Sequence, residues 1–111
     1  MEMIAKIPQI EPQDAHLLLQ EDTQAKILDV REPHECEICQ IPESIKIPMH
    51  EIPERLQELS TDELLIVMCH HGGRSQNVAQ WLAMQGRTRI YNLVGGIDRW
   101  AQEIDPSLRR Y

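Results

Sequence analysis

At 111 residues, with 41% hydrophobic side chains, the chain has the size of one domain with a single core. A formal net charge of −7 excludes the basic face that a nucleic-acid partner requires, and no apolar stretch is long enough to span a bilayer. Residues 1–8 show no basic region followed by an apolar one, so no signal peptide is expected. Three cysteines, an odd number, then suggest free thiols in a reducing, cytoplasmic setting. With no Phe and only two Trp and two Tyr, the core must be mainly aliphatic.

In chain order, residues 7–10 read as a short edge strand, where Pro8 is tolerable. Residues 11–20 form a helix with Pro12 in its first turn and Ala15, Leu18 and Leu19 at helical spacing. Residues 26–30 are a buried strand with Asp29 and Arg31 at its C-terminal end, and 32–38 a short helical turn. Residues 44–47 are a third strand stopped by Pro48, and 51–59 a helix with Pro53 in its first turn and Ile52, Leu56 and Leu59 facing the core. The last strand is 89–93, followed by a Val94-Gly95-Gly96 turn and a closing helix over 97–103 that carries Trp100. The polar tail from Asp105 to Tyr111 is expected to be loosely held. Strands alternating with helices at this spacing call for an α/β fold with a mainly parallel sheet, in one domain whose core runs from about 7 to 104.

The stretch between, residues 64–75, is the one the rest is organised around. Leu64 to Met68 is an apolar run that delivers Cys69 to the end of a strand. His70, His71, Gly72, Gly73 and Arg74 follow, and Ser75 reads as the cap of a helix that ends at Gly86. A loop of this kind turns successive N–H groups inward to make an anion-binding concavity. The helix N-terminus and Arg74 add positive charge, which favours thiolate at Cys69.

Four stretches together carry a resemblance. They are Leu28-Asp29-Val30-Arg31-Glu32-Pro33-His34-Glu35, Ile41-Pro42-Glu43-Ser44-Ile45-Lys46-Ile47-Pro48, Cys69-His70-His71-Gly72-Gly73-Arg74-Ser75 and Asn92-Leu93-Val94-Gly95-Gly96-Ile97-Asp98-Arg99-Trp100. In this order they resemble the single-domain rhodanese-like sulfurtransferases. The resemblance implies a five-stranded, mainly parallel sheet with helices on both faces. It also implies that Cys69 takes sulfane sulfur from a small donor, thiosulfate or a persulfide, and passes it to a thiol or protein acceptor (cyanide in an assay). The backbone amides of residues 70–75 would stabilise the anionic persulfide, with Gly72 and Gly73 permitting the turn and Arg74 either orienting the donor or bracing the loop against a carboxylate. Four residues separate Cys69 from Arg74. The related Cdc25-type phosphatases carry five, which disfavours a phosphatase or arsenate reductase. A non-catalytic module that docks a partner or carries sulfur is the other alternative, and the intact loop counts against it.

The remaining features have plainer readings. Asp29 and Arg31 read as a structural ion pair supporting the active loop. Adjacent side chains such as His70 and His71 would diverge, shaping the pocket mouth rather than sharing a metal with Cys69. Cys36 and Cys39 read as core substitutions at positions that are commonly aromatic and small in the family, with resolution of a Cys69 persulfide as the alternative. Trp81 and Trp100 read as core anchors. No metal or cofactor is called for, and the expected state is a monomer.

Overall fold

In the computed structural model, which describes residues 6–111, strand β4 (Leu64–Met68) is buried along its whole length. The expectation that residues 1–8 hold no leader falls largely on residues 1–5, outside the described residues. A strand covered on both faces reads as an unbroken apolar run, as Leu-Leu-Ile-Val-Met does. The sheet grows outward from it. β2 (Ala25–Asp29) and β5 (Ile90–Leu93) flank it, and β3 (Ile45–Lys46) and β1 (Gln9–Ile10) form the edges, in the order β1-β5-β4-β2-β3. Every pairing is parallel. The register, Asp29 opposite Met68 and Val67 opposite Asn92, brings the C-terminal ends of the three central strands to one edge. Residues that leave those ends in the sequence therefore meet in space, as expected at the carboxyl edge of an open α/β sheet.

The alternation of side chains along β4 divides the core in two. Leu65, Val67 and Cys69 pack with Val78, Ala79 and Leu82 of α3 (Gly73–Met84) and with Ile52 and Leu59. Leu64, Ile66 and Met68 face the other way, onto Ala15 of α1 (Pro12–Glu21) and Ile97 and Trp100 of α4 (Gly96–Glu103). Trp100 is buried, with His16 edge-on to its ring, whereas Trp81 is only partly covered. Helices thus cover both faces. The short α2 (Pro33–Ile38) follows β2 at the carboxyl edge. Among the described residues no helix is long and apolar enough to cross a membrane.

Two expectations are corrected. Residues 51–59 are not one helix but two 3-10 turns, Met49–Glu51 and Leu56–Glu58. Pro53 has no N–H to give the Met49 carbonyl, which is taken instead by Ile52, and the backbone leaves helical geometry at Arg55. The apolar assignment survives, since Ile52 and Leu59 are buried. The tail is not loose either. Asp105 donates to the Trp100 carbonyl, Leu108 packs on the α4-side core, Arg110 pairs with Asp98, and Tyr111 returns to the carboxyl edge.

Helix α4 approaches the carboxyl edge so closely that Gly96, at φ +59, leaves no room for a side chain. A Cβ there would collide with the carbonyl oxygens of Cys69 and His70. Gly96→Ala is therefore expected to cost about 3 kcal/mol. Gly73→Ala, where a Cβ meets nothing within 4 Å, is expected to change stability by less than about 1 kcal/mol. Urea unfolding of the two variants measures the contrast.

Candidate active site

Beyond β4 the chain bends through Cys69 to Gly72 and enters α3 at Gly73. Three carbonyls of this loop are held from outside. Cys69 O accepts from Ile97 N–H at 2.9 Å and His70 O from Asp98 N–H at 3.2 Å, both in the first turn of α4. Gly72 O accepts from the Asn92 side-chain amide at 3.2 Å. Two amides face the buried Cys69 sulfur: Gly72 N–H at 3.1 Å and Ser75 N–H at 3.4 Å. Gly72 makes the turn at φ +114, a left-handed conformation that favours glycine. Gly73 does not share this need; it is simply the first residue of the helix.

The helix starts two residues before the expected cap. Ser75 is in its first turn, fully buried, and its hydroxyl is spent inward: Oγ lies 2.6 Å from Asn92 Oδ1 and 3.3 Å from Cys69 Sγ. Having one proton, the hydroxyl donates to Asn92 when the cysteine S–H points at it, or to the sulfur when the sulfur is anionic. Asn92, buried in β5, thereby holds both Ser75 and Gly72. It had no assigned role in the sequence. The available signal was a polar residue of low strand propensity inside a buried strand.

Arg74 is a brace. Its two terminal nitrogens donate to the two carboxylate oxygens of Glu35 at 2.7 and 2.9 Å, a bidentate pair. Glu35 also accepts from Glu32 N–H at 3.1 Å and the Tyr111 hydroxyl at 2.7 Å. Hydrogen bonding from Arg74 outweighs burial and, with help from Tyr111 and the Glu32 amide, holds this carboxyl down at about 2. The same contact holds Arg74 above its ordinary value, against its own partial burial. The sequence left Arg74 between orienting the donor and pairing with a carboxylate, and did not name Glu35; the Glu-x-x-Glu spacing at the start of α2 was the available signal.

Asp29 and Arg31 form the expected buried pair, 2.8 Å apart and wholly covered. Arg31 spends its remaining donors on Cys39 O at 2.8 Å, Glu35 O at 3.2 Å and the Tyr111 hydroxyl at 3.0 Å. Burial alone would lower its pKa, but the bonds to Asp29 and Tyr111 raise it.

His70 and His71 do not diverge. Their rings lie 3.8 Å apart, and Tyr111 stacks on the other side of His70 at 3.9 Å and 9°. Burial, and then the neighbouring His71, push the His70 pKa down. Among the described residues no three His, Cys, Asp or Glu side chains are gathered to hold a metal. All three cysteines are free. Cys36 Sγ lies 3.7 Å from Asp29 Oδ2, and burial together with that carboxylate pushes its thiol up. Cys39 packs on the α4-side core, in the layer opposite to Cys69.

The Glu35–Arg74 pair gives a pH signature. The folded carboxyl titrates near 2 and the unfolded one near 4.5, so its contribution is complete above about 4.5 and is lost as the pH falls towards 2. Arg74 is partly exposed, which places the pair between a surface and a buried one. Glu35→Gln is therefore expected to lose about 1–2 kcal/mol at pH 7. The gap to wild type should close between pH 4.5 and 2, and denaturant titrations across that range measure it.

The profile of the Rhodanese-like domain family matches residues 11–103. A thiosulfate sulfurtransferase, GlpE, of Pseudomonas syringae is 33% identical over 87% of this chain and 90% of its own length. A larger relative, the chloroplast rhodanese-like/PpiC domain-containing protein 12 of Arabidopsis thaliana, is 33% identical over 95% of this chain, which spans 38% of that protein. Among solved structures, a rhodanese-related protein from Thermoplasma volcanium superposes with a TM-score of 0.79 at 33% identity, over 87% of this chain and 93% of that one. With its fold superposable on that structure and the family match running over residues 11–103, the chain belongs to the rhodanese-like family.

Proposed function

We propose that the protein is a sulfurtransferase that carries sulfane sulfur on Cys69. The observation behind this reading is the convergence of Gly72 N–H, Ser75 N–H and the Ser75 hydroxyl on one buried sulfur. Donors fixed in a water-poor site stabilise negative charge without reorganising as it moves. Cys69 Sγ, as thiolate, attacks the outer sulfur of thiosulfate. A Cys69 Sγ–S bond forms, the donor S–S bond breaks, and its electron pair leaves with sulfite. The persulfide is again an anion, one atom further out. An acceptor nucleophile (cyanide, a small thiol as thiolate, or a protein thiolate) then attacks the terminal sulfur, the new S–S bond breaks, and the electron pair returns to Cys69.

Thiosulfate is the donor in the name of the Pseudomonas syringae relative, and a Bacillus subtilis relative, 33% identical over 94% of this chain, is named a putative sulfur carrier. Both names fit a cysteine that accepts sulfur and gives it up. Of residues 70–75, Gly72 and Ser75 act on the sulfur through their amides, Ser75 also through its hydroxyl, while Asp29, Arg31 and Arg74 support the loop. Three free thiols favour a reducing, cytoplasmic compartment.

Intact mass after incubation with thiosulfate should show one added sulfur atom in the wild type and in the Cys36→Ser/Cys39→Ser double variant, discharged by cyanide. Cys69→Ser should show none, and its thiosulfate:cyanide turnover should fall on the order of a thousandfold or more. A wild type that takes no sulfur from thiosulfate or from a persulfide donor would overturn the enzymatic reading in favour of a docking module.

The charge balance predicts a salt effect of unusual sign. The chain carries −7, and Arg74, the loop's one arginine, is neutralised by Glu35. The doubly charged donor is therefore repelled at long range. Raising the salt from about 0.01 to 0.15 M should raise kcat/KM for thiosulfate about twofold or more, as steady-state rates across that range would show.

A further inference from the structure

We propose that Tyr111 is a positioning residue for the Cys69 loop: its hydroxyl couples the Asp29–Arg31 pair to the Glu35–Arg74 pair and so fixes the chain between the two amides that face the sulfur. The inference rests on the reading of Cys69 as the sulfur-accepting atom.

The two ion pairs are anchored differently. Asp29–Arg31 is part of the sheet edge and wholly buried. Glu35–Arg74 joins α2 to the first turn of α3, with Arg74 lying between Gly72 and Ser75 in the chain. Arg31 reaches the backbone oxygen of Glu35 but not its carboxylate. Among the described residues, the side-chain link between the pairs is the Tyr111 hydroxyl, which accepts from Arg31 at 3.0 Å and donates to Glu35 Oε2 at 2.7 Å. Burial pushes the phenol up to about 12, so it stays a donor throughout the neutral range.

The ring is held as firmly as the hydroxyl. It lies flat on His70, two residues from Gly72, while Leu108 and the Arg110–Asp98 pair tie the preceding residues to the core and to α4. The tail thus clasps the loop from the side opposite α3. The consequence is mechanical: with the hydroxyl in place, Arg74 is pinned through Glu35 to the rigid edge of the sheet. Without it, Arg31 keeps an unpaired N–H, and Glu35 can swing with Arg74 about α2.

The test compares Tyr111→Phe, which keeps the stack and removes the bridge, with Tyr111→Ala, which removes both. Two readouts are taken well below the melting temperature: the rate of sulfur loading on Cys69 across thiosulfate concentrations, and hydrogen exchange at the Gly72 and Ser75 amides with β4 amides as reference. Loss of a charge-assisted hydrogen bond predicts a maximal loading rate about fivefold lower in Tyr111→Phe, with the half-saturating concentration changed less than about twofold. Exchange at the two loop amides should be about fivefold faster with β4 unchanged, and Tyr111→Ala should do the same or more. A Tyr111→Phe protein that loads and exchanges like wild type overturns the proposal, because ring packing alone then suffices. Slower loading with unchanged loop exchange also overturns it, since the effect would not pass through the loop. If the wild type accepts no sulfur from thiosulfate or from a persulfide donor, the sulfurtransferase reading falls. Amide exchange then decides the positioning role alone: faster exchange in Tyr111→Phe supports it, and unchanged exchange removes it.

Discussion

A peptide group carries its N–H and C=O on opposite sides of one rigid plane, so fixing an oxygen fixes the direction of the neighbouring hydrogen. That constraint governs the Cys69 loop. The first-turn amides of α4 and the Asn92 side chain hold three loop carbonyls outward. These ties set the peptide planes on either side of the one that carries the Gly72 amide, and the Ser75 amide is one of the N–H groups that the first turn of α3 leaves without a helical partner. Those ties need α4 within hydrogen-bond distance of the loop, which Gly96 permits. They also need Asn92 at the end of β5, which the parallel register with β4 supplies. Helix, strand and loop therefore depend on one another through a handful of backbone hydrogen bonds.

The donors that face the sulfur are neutral, and the charges nearby are spent on one another. Asp29 with Arg31 and Glu35 with Arg74 form two closed pairs, joined by a hydroxyl that is itself neutral. An unpaired arginine beside Cys69 would hold any small anion, product included. Amide dipoles favour negative charge on the sulfur over a short range and leave the approach to it lightly charged. In a chain of net charge −7, the attraction of any anion to this loop is thus local.

Most of this was legible in the chain, and the parts that were not share a cause. Five strands, their parallel arrangement and the place of Cys69 at the end of β4 follow from apolar runs at α/β spacing, because burial on both faces leaves no other use for Leu-Leu-Ile-Val-Met. Arg31 at the end of a buried strand announced its need for Asp29. The partners of Arg74 and Ser75 were hidden because Glu35 and Asn92 are 39 and 17 residues away in the chain, and no local pattern reports such a meeting. The tail was hidden for a similar reason. Its contacts come from Leu108, Arg110 and Tyr111, one each to core, helix and loop, with no periodicity to mark them. The 51–59 helix ended at Arg55, where the backbone leaves helical geometry after a single turn although the apolar spacing suited a longer one.

The two outer strands of the sheet are only two residues long, Gln9–Ile10 and Ile45–Lys46. Pro8 stands just before one and Pro48 just after the other, neither with an N–H to offer a further strand. An open sheet exposes hydrogen-bonding groups along both margins, and long flat margins recruit other chains into aggregates or exchanged dimers. Here most of the pairing lies in the three central strands, and each margin is short. The sheet thus denies copies of the chain one route by which they could stick together.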